Sequence, residues 1–255
     1  MKYTSAEMMV VTAARMLKNG DRVFVGIGMP NLAVNLARRL HAPDIHMIFE
    51  AGVIGAKPSR LPLSIGDPCL VTGAGSVCSM FDVFAFYLQR GLIDIGFLGA
   101  AQVDRYGNLN STVIGPYDRP KARLAGSGGA CDIACLAKKV FVLIPHEKRR
   151  LPEKVDFITS PGFLGGRAER EALGLEGGPD TVITNKGVLR YDETGEMILT
   201  SIHPGVTVGE VLANTGWELK VSRTLEITPD PNDEELRILR EELDPAGVYL
   251  GGAIA

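Results

Sequence analysis

Glu50 stands where a short apolar segment gives way to small residues. Residues 45–49 read Ile-His-Met-Ile-Phe, and Ala51 and Gly52 follow the glutamate. The apolar segment predicts a strand, so Glu50 emerges at the carboxyl end of that strand, where open α/β sheets bind their ligands. A partly desolvated carboxylate in that position can act as a nucleophile. The competing interpretation is an ordinary surface glutamate, or one paired with a lysine such as Lys57.

Two glycines, Gly26 and Gly28, follow a second predicted strand and precede a helical pattern. With Glu50 about twenty residues further on, they partly fit the dinucleotide-binding fingerprint. The third glycine of that fingerprint is replaced by Asn31, which Pro30 precedes, so a nicotinamide or flavin site is the minority interpretation. The helix N-terminus beyond Gly28 can still hold a phosphate. Gly26, Gly28 and Asn31 are therefore candidate binding residues.

Residues 126–130, Gly-Ser-Gly-Gly-Ala, lead into a predicted helix. Adjacent glycines such as Gly128 and Gly129 leave backbone N–H groups unhindered, as binding of a developing oxyanion requires. Each good donor stabilises the transition state by roughly 3–4 kcal/mol. A plain strand-to-helix turn is the competing interpretation. Ser127 is not predicted to be a nucleophile, because the G-x-S-x-G frame does not fit around it.

Residues 102–110 follow another predicted strand and are rich in side-chain amides. Gln102 and Asn108 are candidate binding residues, since an amide can orient a carbonyl group of a substrate. Amides in turns equally often satisfy the loop backbone, and that alternative stays open. His146 and His203 have no triad partners close in sequence, which favours structural roles for both.

The bulk composition excludes several functions. The chain has 255 residues, of which 45% are hydrophobic and 22% charged, with a net charge of −3. This is a globular composition without an electrostatic footprint for nucleic acid. No apolar stretch reaches the roughly 18 residues needed to span a bilayer, and residues 1–19 lack a signal-peptide pattern. We expect a cytoplasmic protein that binds neither nucleic acid nor membrane.

The cysteine spacing predicts neither a disulfide framework nor a metal site. Cys131 and Cys135 would lie one helical turn apart, but no histidine is close in sequence to complete a ligand set. Cys69 and Cys78 stand apart from that pair. We expect reduced, buried thiols that behave as small hydrophobic side chains.

Strand and helix patterns alternate along the chain, which favours parallel strands joined by right-handed crossovers. Strands are predicted over 23–25, 45–49, 93–98, 140–144, 181–184 and 188–191, the last two as a hairpin. Helices are predicted over 4–18, 31–40, 81–88, 130–137, 208–215 and 234–242, with loops over 51–68 and 160–180. The expected fold is α/β, an open and mainly parallel sheet flanked by helices, in a single domain over residues 1–255.

Taken together and in order, short strings distributed over nearly the whole chain resemble the class I coenzyme A transferases, in particular the β subunit of the glutaconate CoA-transferase type. The strings are residues 18–20, 25–30, 42–46, 49–52, 99–104, 106–110, 120–121, 126–130, 146–150, 159–162 and 214–216. The resemblance implies the α/β fold of the CoA-transferase and sugar-phosphate isomerase-like superfamily. It also implies an obligate partner, a homologous α subunit.

The resemblance places the family's nucleophilic glutamate on Glu50 and its oxyanion glycines on Gly128 and Gly129. Ala51 departs from the family pattern, which has serine there, so substrate preference is expected to differ. The implied reaction moves coenzyme A between an acyl-CoA and a carboxylic acid through a covalent glutamyl-CoA thioester, with ping-pong kinetics. Coenzyme A is then a substrate, and no cofactor is expected.

Two other functions stay open on the sequence. The same fold can serve an acyl-CoA hydrolase, a C–C bond hydrolase or a decarboxylase, because fold alone does not fix chemistry. The second open function is that of a non-catalytic nucleotide-binding module, which would use the turn at Gly26 and Gly28. Retention of Glu50 favours transfer over the hydrolase and decarboxylase alternatives, and saturable NAD binding without coenzyme A binding would favour the nucleotide-binding module.

Overall fold

Short apolar segments alternate with amphipathic ones along residues 2–251, the part of the chain that the computed structural model describes. In chain order they form α1 (Ser5–Arg15), β1 (Arg22–Phe24), α2 (Met29–Leu40), β2 (His46–Ile48), β3 (Val53–Ile54), β4 (Ser76–Val77), α3 (Met80–Asp82), β5 (Ile95–Leu98), β6 (Gln102–Val103), β7 (Leu109–Asn110), β8 (Val113–Ile114), β9 (Ala122–Arg123), α4 (Ala130–Leu136), β10 (Lys139–Leu143), α5 (Arg167–Ala172), β11 (Pro179–Ile183), β12 (Gly187–Tyr191), β13 (Met197–Ile202), α6 (Val208–Ala213), β14 (Lys220–Ile227) and α7 (Asp233–Arg237). A 3-10 turn covers Pro68–Val71, and π-helical turns extend α3 over Val83–Leu88 and α7 over Ile238–Leu243.

These elements belong to two units. Unit 1 comprises the residues up to Phe97 together with those from Asp230 onwards, and unit 2 comprises Leu98–Pro229. Unit 1 is thus built from two separate stretches of chain, whereas unit 2 is continuous. The expectation of a single domain stays a prediction.

In unit 1, strand β1 lies between β2 and β5, and all three are parallel. Val23 is in register with Met47 on one side and Ile95 on the other, and all three side chains are buried. Strands β3 and β4 continue the sheet beyond β2 in antiparallel order. Because β1 and β2 run in the same direction, the segments that leave their carboxyl ends start at the same edge of the sheet.

Helices α1 and α7 of unit 1 are joined by two reciprocal ion pairs. Glu7 and Glu235 are the third residues of their helices, and each completes a capping box with its own N-cap residue. Glu7 also accepts a hydrogen bond from Arg240 at 2.6 Å, and Glu235 accepts one from Arg15 at 2.6 Å. Both residues are more than nine-tenths buried. Each glutamate thus caps the N-terminus of its own helix and also pairs with an arginine of the neighbouring helix.

In unit 2, β11 and β12 form the hairpin that the sequence predicts, with Val182 opposite Leu189. Strand β10 pairs with β11 in parallel, β13 pairs with β12 in antiparallel order, and β14 runs parallel to β13. Two small hairpins, β6–β7 and β8–β9, stand apart from this sheet.

A fully buried arginine, Arg170, holds three segments of unit 2 together. Its guanidinium donates to the carbonyl oxygens of Gly162 at 2.8 Å, Ala134 at 2.9 Å and Gly177 at 3.1 Å. Burial lowers the pKa of Arg170 below its usual range. Carbonyl groups from the end of α4 and from two loops satisfy the donors of this side chain, as a buried polar group requires.

The α/β prediction is confirmed, with parallel strands flanked by helices in the order expected. The prediction of an uninterrupted loop over 51–68 is wrong, because β3 lies inside it and pairs with β2. Strands β13 and β14 and the short strands of the two hairpins were not expected from the sequence. None of the helices within residues 2–251 is long and apolar enough to cross a membrane.

Candidate active site

Glu50 occupies a tight turn, residues 49–52, that joins β2 to β3. We call these four residues the Glu50 turn. The Gly52 N–H donates to the Phe49 carbonyl at 2.9 Å, and the Phe49 N–H donates to the Val53 carbonyl at 2.9 Å. Phe49 is buried and Glu50 is half-buried. The backbone of the turn is therefore anchored in the core of unit 1, and Glu50 keeps part of its surface exposed.

Gly52 fixes the shape of this turn. Its φ of +94° lies in the left-handed region, and a Cβ added there would overlap the carbonyl oxygen of Cys78. Cys78 in turn binds the Gly52 carbonyl through its N–H at 2.9 Å and its Sγ at 3.3 Å. The segment that contains Cys78 thus supports the Glu50 turn from behind. No signal in the sequence connects these two segments.

The Gly26–Gly28 turn leaves the same edge of the sheet as the Glu50 turn. Phe24 is in register with Ile48, and the Val25 N–H donates to the Ile48 carbonyl at 3.0 Å. Gly28, at a φ of +87°, is the N-cap of α2 and offers no side chain to cap it. The first N–H groups of α2 are therefore not covered by a capping side chain, which is the condition for binding an anion there.

Asn31 points into unit 1. Its side chain is 1% exposed, its Nδ2 lies 3.5 Å from the Gly26 carbonyl, and its Oδ1 accepts from Asn35 at 2.8 Å. These contacts hold the glycine turn against α2. Direct contact between Asn31 and a substrate stays a prediction.

The Glu50 carboxylate itself is uncommitted. Within residues 2–251 it has no hydrogen-bond or ion-pair partner, and Lys57, the lysine considered from the sequence, makes no ion pair with it. An ionised carboxylate without donors keeps all its lone pairs available for attack on an electrophile.

In unit 2, Gly128 and Gly129 form the entrance to α4. Gly128 has a φ of +49°, and Gly129 is the N-cap of the helix. Ser127 accepts from the Cys131 N–H through Oγ at 3.1 Å, which makes it a helix-capping residue. Across the described part of the chain, the N–H groups of Gly128 and Gly129 donate to no acceptor. Two adjacent free donors are what an oxyanion site requires.

The side chains of Gln102 and Asn108 are buried and fully engaged in loop contacts of unit 2. Gln102 accepts from Asn110 at 2.7 Å and donates to Asp156 at 3.1 Å. Asn108 donates to the Leu164 carbonyl at 2.9 Å, and its other donor contacts go to a carboxylate in its own loop. This geometry favours the loop-supporting alternative for both residues, and substrate contact remains only a prediction.

His146 and His203 also make internal contacts in unit 2. His146 lies between the hydroxyl groups of Thr184 at 3.1 Å and Thr215 at 3.0 Å, and His203 lies 2.8 Å from the Thr184 carbonyl. Burial, together with the charge of Lys186, lowers the pKa of His146 to about 4, and burial lowers the pKa of His203. Both rings are therefore neutral structural groups at neutral pH.

The cysteines do not form a ligand cluster. All four are free thiols that are half-buried, less hidden than the sequence led us to expect. Burial and the neighbouring Cys131 raise the pKa of Cys135 to about 11, so this thiol is protonated at neutral pH. Among the residues between 2 and 251, no group of three or more His, Cys, Asp or Glu side chains is placed to hold a metal ion.

The fold and the carboxylate-bearing turn coincide with a match to a known family. The model of the coenzyme A transferase family matches residues 6–214, and the chain belongs to this family. The B subunit of 3-oxoadipate CoA-transferase from Pseudomonas knackmussii is 49% identical over 93% of this chain and 92% of its own length. The B subunit of glutaconate CoA-transferase from Acidaminococcus fermentans is 41% identical over 97% of this chain and 95% of its own length.

A solved structure agrees with these sequence matches. The crystal structure of glutaconate coenzyme A-transferase from Acidaminococcus fermentans superposes with a TM-score of 0.92 at 39% identity, covering 98% of each chain. Relatives named as a hydrolase component or a decarboxylase are more distant, at 28% and 26% identity. The sequence identity to these CoA-transferase subunits is therefore higher than the identity to the hydrolase and decarboxylase relatives.

Proposed function

We propose that this chain is the B subunit of a two-subunit CoA transferase and that Glu50 is its nucleophile. The observation that supports this role most directly is the half-buried carboxylate of Glu50, which has no partner in residues 2–251 and stands on a fixed turn at the carboxyl end of β2. That edge of a parallel sheet is where α/β proteins bind ligands.

The reaction begins with attack of a Glu50 carboxylate oxygen on the carbonyl carbon of an acyl-CoA. The C–S bond breaks, coenzyme A leaves as the thiolate, and an acyl-glutamyl anhydride remains. The thiolate then attacks the glutamyl carbonyl, which forms a glutamyl-CoA thioester and releases the first acid as its carboxylate. An acceptor carboxylate reverses both steps and leaves with coenzyme A.

We assign stabilisation of the tetrahedral intermediates to the backbone N–H groups of Gly128 and Gly129. The support is that these two donors are adjacent and have no acceptor in the described chain. Each good donor to such an oxyanion is worth roughly 3–4 kcal/mol of transition-state stabilisation. The uncapped N-terminus of α2 beyond Gly28 is assigned to an anionic group of the substrate.

The acid substrates are assigned to the dicarboxylic acids. The two similar B subunits carry the names of 3-oxoadipate and glutaconate, which are both dicarboxylates. Their designation as B subunits supports a complex with a homologous A subunit. Ala51, next to the nucleophile, removes a hydroxyl that the family pattern provides and is a position where acid preference can differ.

The test is covalent trapping of position 50. The complex is incubated with acyl-CoA, treated with borohydride or hydroxylamine, digested and examined by mass spectrometry. We expect modification on the peptide that contains Glu50. Glu50→Gln should lose transfer activity by at least about a thousandfold and should not be modified. Glu226→Gln, at an exposed carboxylate on β14, is the matched control and should keep wild-type activity.

Two results would overturn the proposal. The first is a trapping experiment in which activity is lost but the modified residue is not Glu50. The other is turnover of acyl-CoA at an undiminished rate when no acceptor acid is present, which would make the protein a hydrolase. Glu50→Asp sharpens this comparison, because the shorter side chain should divert part of the flux from transfer to hydrolysis.

A further inference from the structure

A cavity of unit 1 is lined by positive charges. It has a volume of about 340 Å³ and lies between the last turn of α2, the segment that follows this helix and the segment that follows β3. Its lining consists of three cations, one amide and two prolines, with no acidic residue: Arg38, Arg39, Lys57, Asn35, Pro43 and Pro58. We call this space the α2-end cavity.

Arg38 is half-buried in the wall of this cavity and has only uncharged partners. Its Nη1 donates to the Ala56 carbonyl at 3.0 Å and lies 3.2 Å from the Sδ of Met47. Within residues 2–251 the guanidinium forms no ion pair. Burial, and after it the charge of Arg39, lowers the pKa of Arg38 below its usual range. A charge that is partly withdrawn from water and lacks a partner of opposite sign is costly, and an anion would compensate it.

Arg39 and Lys57 add two further positive charges. Arg39 pairs with Glu242 at 3.1 Å, but the other oxygen of that carboxylate pairs with Arg237 at 2.9 Å, so one acid is shared by two arginines. Lys57 is exposed and forms no ion pair in the described part of the chain. The C-terminus of α2 contributes the equivalent of about half a negative elementary charge, which is small beside three cations. The α2-end cavity therefore has an excess of positive charge.

The cavity is separate from the Glu50 turn. Helix α2 begins after Gly28, at the edge of the sheet where the Glu50 turn lies, and ends at the opposite edge, before β2. Arg38 follows Gly28 by nearly three helical turns, which is roughly 15 Å along the helix axis. An anion in the α2-end cavity is therefore a different ligand from the substrate anion assigned to the start of α2.

We propose that the α2-end cavity binds a phosphate group, either as free phosphate or as the phosphate ester of a small metabolite. Within residues 2–251, the Nε and Nη2 atoms of Arg38 donate to no acceptor, which leaves one edge of the guanidinium available for two parallel hydrogen bonds to an oxyanion. The ammonium group of Lys57 adds a point charge.

The charge and the volume of the cavity favour phosphate over a single carboxylate. A phosphate group carries close to two negative charges at neutral pH, which matches the positive excess better than one charge does. A volume of about 340 Å³ is at the lower end of the range for ligand clefts, so a small organic group attached to the phosphate also fits. Pro43 and Pro58 give the cavity walls of restricted backbone conformation, which lowers the cost of ordering the site on binding.

The test is calorimetric titration of the purified complex with inorganic phosphate and with glycerol 3-phosphate, at constant ionic strength so that screening is equal. Lys57→Gln should weaken binding about fivefold or more, because a charged hydrogen-bond donor is lost. Arg38→Lys should weaken it similarly, since the charge stays but the two-donor edge is removed. Lys57 is exposed, so its variant should keep the wild-type Tm when no phosphate is present. Lys148→Gln, at an exposed lysine of unit 2, is the matched control and should bind phosphate like the wild type.

Phosphate should bind equally well when coenzyme A is present at saturation, because the cavity lies apart from the Glu50 turn. The tighter binder of the two phosphates shows whether the free or the esterified form is the ligand. Absence of binding to the complex, competition with coenzyme A, or wild-type affinity in Lys57→Gln overturns the proposal. Equal affinity for the dicarboxylate glutarate also overturns it, since the site would then not select phosphate. None of these titrations depends on Glu50 being the nucleophile, so covalent trapping of Glu50 gives an independent result.

Discussion

At the scale of single residues, the position of the Glu50 carboxylate depends on a neighbour without a side chain. Gly52 closes the Glu50 turn at a φ of +94°, where any Cβ would overlap the carbonyl oxygen of Cys78. The Cys78 N–H and thiol hold the same residue from the other side. The Glu50 carboxylate is therefore placed by backbone geometry and by a second segment packed against its turn.

Gly52→Ala should therefore disturb both stability and catalysis. The positive φ and the overlap with backbone are expected to cost roughly 2–4 kcal/mol of the free energy of unfolding. Since the strain is relieved by moving the Glu50 turn, kcat should also fall by about tenfold or more. Urea denaturation and steady-state kinetics on the complex measure the two effects.

Gly26→Ala provides the comparison for stability. A Cβ at Gly26 meets no atom within 4 Å, and its φ lies outside the left-handed region, so the change in unfolding free energy should stay below about 1 kcal/mol. Equal destabilisation by the two substitutions would contradict the role given to Gly52.

At this scale the sequence predicted the place of Glu50 at the end of a strand, and its catalytic role stays a prediction. Glu50 was recognisable because a strand pattern ends directly before it and small residues follow. The support from Cys78 was not, because it depends on a contact between distant segments. Arg170 shows the same limit. The sequence predicted a loop over 160–180, which is wrong at this point, because Arg170 lies in helix α5 and is buried among carbonyl groups of three segments. The amides of Gln102 and Asn108 were noticed, but their hydrogen-bond partners could only be found in the fold.

At the scale of elements, α1 and α7 are joined by two glutamates. Each of them caps its own helix and forms an ion pair with an arginine of the other helix. Glu235 accepts from the Asn232 backbone at 2.8 Å as part of its capping box and from Arg15 at 2.6 Å across the helix pair. Glu7 does the same with Thr4 and Arg240. Burial makes these charged contacts stronger than surface ion pairs and makes an unpaired member costly.

Glu235→Gln should lower the free energy of unfolding by about 1–3 kcal/mol, because it removes the charge that both the helix end and Arg15 require. Glu234→Gln is a control in the same helical turn. Its carboxylate is exposed and pairs with Arg237 within the helix, so the change should stay within about 0.5 kcal/mol. Chemical denaturation measures both, and similar effects for the two variants would argue against the cross-helix contact.

The sequence patterns predicted whether a segment is a helix or a strand better than they predicted where it begins and ends. Helices with a clear apolar face, such as α2, were predicted within two residues of their ends. Strand β14 was missed although Val221, Leu225 and Ile227 alternate with polar residues, and the folded strand leaves most of its residues exposed. The two-residue strands β3 and β4 were missed because pairing with distant strands defines them, and local composition does not.

At the scale of the whole molecule, buried histidines make stability depend on pH. His146 and His203 lie within hydrogen-bond distance of the hydroxyl and the carbonyl of Thr184, one residue beyond β11. Burial lowers the pKa of His146 to about 4, below the ordinary value of 6.5, and lowers that of His203 in the same direction. Between about pH 4 and pH 6.5, the unfolded chain therefore binds more protons than the folded chain.

The free energy of unfolding should therefore be highest above about pH 6.5 and should fall as the pH drops towards 4. His146 alone is expected to account for a loss of about 2 kcal/mol at pH 5. Urea denaturation at a series of pH values measures this loss. His146→Gln should flatten the profile over that range, whatever its effect at pH 7. An unchanged slope in this variant would show that other groups set the acid sensitivity.

The division of unit 1 between the start and the end of the chain has a consequence for synthesis on the ribosome. Unit 2 is continuous, so all of its strands are available as soon as Pro229 has been made. Helix α1 is synthesised before unit 2, but its ion pairs can form only after Glu235 and Arg240, which follow unit 2 in the sequence. In the interval between synthesis of Pro229 and of Arg240, a nascent chain can therefore contain all the strands of unit 2 while α1 still lacks both of its ion pairs.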